Sequence, residues 1–127
     1  MSIYTVSVKR HFTAYHYLVG GDWGPENERH AHHYDVELEL WGKELDHHGY
    51  LVDIVDIDQA FDALVKAYEE KTLNSLDEFK EMNPSIENFS RIICQRFASD
   101  LDASNITAIK VKIWENEIAC ASFRQEL

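Results

Sequence analysis

Two stretches of apolar–polar alternation, a middle that changes to helical spacing, and a return to alternation near the C-terminus predict an α+β domain. The order is strand, strand, helix, helix, strand, strand. Two hairpins flanking a helical pair make a four-stranded antiparallel sheet with both helices on one face.

The first strand is expected over residues 3–16. Val6, Val8, Phe12, Ala14 and His16 share one parity, interrupted by Arg10, while Thr5, Ser7, Lys9, His11 and Thr13 take the other face. A loop follows from Gly20 to Glu28, marked by three glycines and one proline. In the second strand Tyr34, Val36, Leu38 and Leu40 alternate with Asp35, Glu37 and Glu39, over residues 32–40. Carried backwards, the same phase turns His30 and His32 to the core side.

Asp46-His47-His48-Gly49 reads as a turn, and Tyr50 to Asp53 as a brief return to extended chain. The period then changes: Asp56 is placed to cap a helix carrying Ile57, Phe61, Leu64, Val65 and Tyr68 on one stripe. A polar connection over residues 73–84 ends in Asn83-Pro84-Ser85. Ser85 is a good N-cap for a second stripe, Ile86, Phe89, Ile93 and Phe97, ending near Leu101.

After a turn at Asp102 to Asn105, Thr107, Ile109, Val111, Ile113 and Glu115 share one strand face, with Lys110, Lys112 and Trp114 on the other. A last strand is expected over residues 118–124. Glu115, closing a β-branched row, is anomalous: burying it alone costs several kcal/mol, of order 2–7 even for a neutral polar group. It therefore either frays into water at the strand end or meets a partner.

A chain of 127 residues with 45% apolar content suits one domain over residues 1–127. Twelve basic against 23 acidic residues give a net charge of −11, which disfavours nucleic acid and anionic membranes as partners. With no apolar run near the roughly 18 residues of a membrane span and no secretory signal pattern, a cytoplasmic protein is expected. Cys94 and Cys120 both fall in apolar runs, outside any Cys-x-x-Cys spacing, and are expected to be buried, inert thiols.

The chemistry centres on His16, His30 and His32. Neighbouring antiparallel strands bring three imidazoles to one spot, each able to bind zinc at about 2.0–2.1 Å and together leaving a fourth position open, as in catalytic zinc sites. The alternative is three solvated or hydrogen-bonded histidines.

Several pieces in fixed order carry a family resemblance: Phe12-Thr13-Ala14-Tyr15-His16, His30-Ala31-His32-His33-Tyr34, Gly49-Tyr50-Leu51-Val52-Asp53, Leu73-Asn74, Asn83-Pro84-Ser85-Ile86-Glu87-Asn88 and Val111-Lys112-Ile113-Trp114-Glu115. From Ile3 to Arg124 the chain resembles the 6-pyruvoyl-tetrahydropterin synthase and 6-carboxytetrahydropterin synthase family. The resemblance implies the tunnelling fold, a homo-oligomer of barrel-forming trimers stacked as a hexamer, and a zinc ion held by His16, His30 and His32. It also implies a reduced pterin substrate, dihydroneopterin triphosphate, whose ring Glu115 anchors. Ser85 stands where a threonine usually contacts that ring.

The family's usual catalytic cysteine, four residues before the histidine pair, is here Glu26. Its aspartate–histidine relay falls at Glu69 and Glu70, and His-Gly-His becomes His-Ala-His. Glu26 can serve as the base, as in family members that cleave the side chain to a 6-hydroxymethyl pterin, or it is a solvated loop residue. A relay rebuilt from His33, His47 or His48, and a non-catalytic pterin- or metal-binding homologue, stand as alternatives. Product and pathway stay open.

Overall fold

The computed structural model describes residues 3–101 and 104–127, so part of the turn expected at Asp102–Asn105 lies outside the described residues. Strands β1 (Tyr4–His16) and β2 (His30–Gly42) are followed by helices α1 (Ile54–Tyr68) and α2 (Ile86–Asp100), then by β3 (Ala108–Trp114) and β4 (Cys120–Glu126). The four strands form one antiparallel sheet in the order β1-β2-β3-β4. Helix α1 packs on β1, and α2 on β3 and β4. This is the α+β architecture expected from the alternation. Among the described residues no helix is long and apolar enough to cross a membrane.

Register confirms the phase argument. Phe12 lies opposite Tyr34, Ala14 opposite His32, and His16 opposite His30, so the apolar parity of β1 meets that of β2 on the helix side. There Phe89 sits at the centre of an aromatic cluster, its ring edge-on to Tyr34, Tyr68 and Phe79 at centroid distances of 5.2, 5.1 and 5.4 Å. Arg10, the charged interruption, pairs with Asp58 of α1 and lies over the Phe61 ring. It reaches the helix surface without burying its charge.

Local boundaries depart from expectation in three places. Helix α1 begins at Ile54 because Asp53, rather than Asp56, accepts the Val55 N–H at 2.9 Å; Asp56 lies in the first turn, beside the positive end of the helix. Residues 50–53 are irregular rather than strand, bending at Leu51 and Val52, which turn into the core. Strand β4 starts two residues late, since the Asn116 side chain accepts the N–H groups of both Ile118 and Ala119 and so widens the hairpin turn. That shift leaves Cys120 exposed, correcting the expectation that both thiols are buried. Cys94 is buried, its thiol pushed up to about 11 by desolvation, and it donates to the Ile109 carbonyl.

The polar connection contains two short 3-10 turns, Leu73–Ser75 and Asp77–Phe79, which exist because Leu73 and Phe79 are drawn into the core. Just beyond them Glu81 adopts φ 63°, a left-handed conformation that crowds any Cβ. Glycine relieves that crowding at some loss of unfolded-state entropy. Glu81→Gly is therefore expected to raise the denaturation free energy by about 0.5–1 kcal/mol in a urea titration, and a lowered midpoint would contradict it.

Candidate metal centre

The three histidines meet where β1 ends and β2 begins. Their ring centroids lie 4.5 Å (His16 to His30), 4.3 Å (His16 to His32) and 4.6 Å (His30 to His32) apart. His16 is buried at 3% exposure, and His30 and His32 are half-buried. The Glu26 carboxylate completes the group, with ligand atoms of all four residues within 4.8 Å of one another. Its Oε2 lies 2.8 Å from His30 Nε2 and 4.0 Å from His32 Nε2.

Hydrogen bonds fix which nitrogens face inward. His30 Nδ1 lies 2.7 Å from the carbonyl of Glu28, which only accepts, so that nitrogen carries the proton and Nε2 offers a lone pair. His16 Nδ1 is engaged at 2.8 Å by the Tyr34 hydroxyl, again leaving Nε2 for the centre. His30 Nε2 and His32 Nε2 are only 2.8 Å apart. Lone pairs converging this closely on a carboxylate repel unless a cation lies among them. A single proton satisfies one such contact; a divalent metal satisfies all four donors, and imidazole with carboxylate suits a first-row metal. Burial, then the neighbouring His32 and His30, lowers His16 to about 4. It is thus neutral at ordinary pH and available to a metal.

Glu26 arrives through the loop rather than a regular element. Gly24, at φ 62°, opens a 3-10 turn over Gly24–Asn27. Asn27 ties the loop shut: its amide donates to the carbonyls of Leu18 and Gly21, and its oxygen accepts the Trp23 N–H at 2.7 Å. Beside it, the Leu18 N–H donates to the Glu26 carbonyl. Two further asparagines act as substitute strand partners. Asn74 bonds both backbone groups of Tyr17, at 3.0 and 2.9 Å, and Asn83 both of Val19, at 2.8 and 3.1 Å. Asn27, Asn74, Asn83 and the Tyr34 hydroxyl are the residues that sequence reasoning passed over in function. Their signal was faint, since Asn74 and Asn83 stood out only as fixed points of the resemblance.

Glu115 lies half-buried just past β3, and none of the ion pairs among the described residues engages it. Desolvation, then the charges of Glu115 and Glu26, raise the Tyr34 hydroxyl well beyond the usual phenol range, so both carboxylates act on the group that holds His16. Ser85 caps α2, its Oγ accepting the Asn88 N–H at 3.1 Å. Glu69 and Glu70 are exposed at the end of α1, where the Glu70 N–H donates to the Thr13 carbonyl. The remaining histidines are not gathered here. His33 is on the opposite sheet face beside His11, and His47 and His48 stack on each other at 3.9 Å in the turn before α1.

A family model for 6-pyruvoyl tetrahydropterin synthase matches residues 5–126. The chain belongs to that family. It is 29% identical over 96 residues to a putative 6-carboxy-5,6,7,8-tetrahydropterin synthase of Archaeoglobus fulgidus, covering 76% of each chain. In fold it is similar to the Caenorhabditis elegans 6-pyruvoyl tetrahydropterin synthase, with a TM-score of 0.86 at 20% identity over 99% of this chain and 98% of that one. The Plasmodium vivax enzyme of the same name gives 0.81 at 14% identity over the full length of both. That enzyme has also been solved as variants of a catalytic glutamate, at a TM-score of 0.80, 14% identity and full coverage of both chains.

Proposed function

We propose that the protein is a zinc-dependent lyase or synthase acting on the side chain of a reduced pterin, dihydroneopterin triphosphate or a close relative. The observation that carries this reading is the convergence of His16, His30, His32 and Glu26, with Glu115, engaged by no ion pair among the described residues, acting on Tyr34 as Glu26 does. Zinc held by the three histidines would supply a Lewis acid toward the side-chain oxygens of the substrate. Glu115 accepts two hydrogen bonds from the N–H and amino groups of the pterin ring, which sets the side chain toward the histidines. The Ser85 hydroxyl, whose oxygen is engaged as a cap, retains its proton to donate to the ring. Glu26 takes a proton from the side chain. A catalytic glutamate in the Plasmodium vivax synthase supports a carboxylate in that role. A 6-hydroxymethyl pterin is the product this base would leave after side-chain cleavage.

Strands β1 and β4 are the open edges of the sheet, and pairing them between subunits would close it, in keeping with trimers stacked as a hexamer. One observation favours a second reading, a pterin-binding protein without turnover: no histidine stands at the relay position, where Glu69 and Glu70 are exposed. The deciding experiment is anaerobic incubation of the zinc-loaded protein with dihydroneopterin triphosphate and mass spectrometry of the pterin. A product altered in the side chain is expected. Bound but unchanged substrate would establish the second reading instead.

A further inference from the structure

We propose that Glu26 is a fourth, displaceable protein ligand of the metal, closing the centre until a substrate oxygen takes its place; this rests on the metal reading above. Four donors at bond lengths of about 2.0–2.2 Å in a tetrahedron lie roughly 3.3–3.6 Å from one another. The observed spacings bracket that edge: 2.8 Å between His30 and His32, 2.8 Å between His30 and Glu26, and 4.0 Å between His32 and Glu26. Glu26 Oε2 lies as close to His30 Nε2 as His32 Nε2 does, so the carboxylate stands within the donor set rather than behind it.

The four donors are not held alike. His16, His30 and His32 are on paired strands, and the Nδ1 atoms of two of them are pinned by hydrogen bonds. Glu26 is on a 3-10 turn with half of its side chain exposed, on the solvent side of the centre. The three bonds of Asn27 hold the loop backbone, so release of Glu26 needs rotation about its own side-chain bonds and no opening of the loop. The group so released lies beside the incoming substrate with its lone pairs free. One carboxylate thus guards the metal at rest and becomes the base once displaced.

The test is Co²⁺ binding by the metal-free protein, measured by competition with a chromophoric chelator, in wild type and Glu26→Gln. Loss of a direct ligand is expected to weaken binding at least tenfold, the lower end of what even an outer-shell partner is worth. The visible spectrum of the Co²⁺ protein should differ between the two, and neopterin, whose side chain carries hydroxyls, should shift the wild-type spectrum toward that of the variant. Equal affinity and identical spectra would overturn the proposal. If turnover fell in that same variant, Glu26 would be a base alone and the functional reading would stand. Failure of wild type to bind one equivalent of Co²⁺ would overturn both.

Discussion

Replacing His30 and His32 together with alanine is expected to strip the protein of tightly held metal and, with it, of turnover. His16 and Glu26 alone cannot hold a zinc ion against dialysis, because structural and catalytic sites alike use three or four protein ligands. The fold should survive, since both side chains are half-buried at the start of β2 and their removal relieves the crowding of lone pairs at 2.8 Å. Two measurements separate these effects. Metal analysis after dialysis should fall from one equivalent to a trace. Denaturation of the metal-free variant should need no less urea than metal-free wild type, whereas loading wild type with zinc at a hundred times its dissociation constant should add about 2.7 kcal/mol. One equivalent of tightly held zinc in the double variant would remove these histidines from the centre.

Glu115→Gln and Glu26→Gln should fail in different ways, because one carboxylate is assigned to the ring and the other to the side chain. At Glu115 the amide replaces an acceptor with a donor and so sets donor against donor at the ring edge. Ring affinity is expected to fall by about 1.5–3 kcal/mol, the scale of a hydrogen bond to a charged group, or roughly 10- to 150-fold. At Glu26 the base is lost, and turnover under saturating zinc should drop by about 10²–10⁴ with no fall in pterin affinity. Calorimetry with biopterin reads the first change, and product formation reads the second. Unchanged pterin affinity in Glu115→Gln would end its role as anchor, and full turnover in Glu26→Gln would take Glu26 out of the chemistry.

Strand phase was the most legible feature of the chain. Period two has no freedom once one face is buried, so the parity shared by Phe12, Ala14 and His16, and by Tyr34, His32 and His30, predicted cross-strand neighbours that the register bears out. The Ser85 cap was equally plain, since one hydroxyl precedes one apolar stripe. Less visible was the start of α1: Asp53 and Asp56 both have capping chemistry, and Ile54 and Val55 are exposed, so the buried stripe gives no sign that the helix has begun. The late start of β4 and the exposure of Cys120 depend on a single side-chain oxygen of Asn116, which alternation does not encode. At the centre, the histidines could be placed from phase, but Glu26 could not. Its position follows from a loop closed by polar side chains, and such closure leaves no periodic trace.

The asparagine clamps give the site a chemical clock. Each works because an amide offers a donor and an acceptor side by side, and hydrolysis to a carboxylate replaces that donor with a second acceptor and adds a negative charge. The backbone nitrogen of the next residue drives this ageing. Asn83 is followed by Pro84, which has no N–H, and Asn27 by the long side chain of Glu28, whereas Asn74 is followed by the small Ser75. Deamidation at Asn74 would set an acid oxygen against the Tyr17 carbonyl, at a contact now 2.9 Å long and one residue from His16. With long storage or heat, the end of β1 would thus lose its hold on the Leu73–Ser75 turn while the aromatic cluster around Phe89 stayed packed, and a well-folded preparation could lose its site without losing its shape.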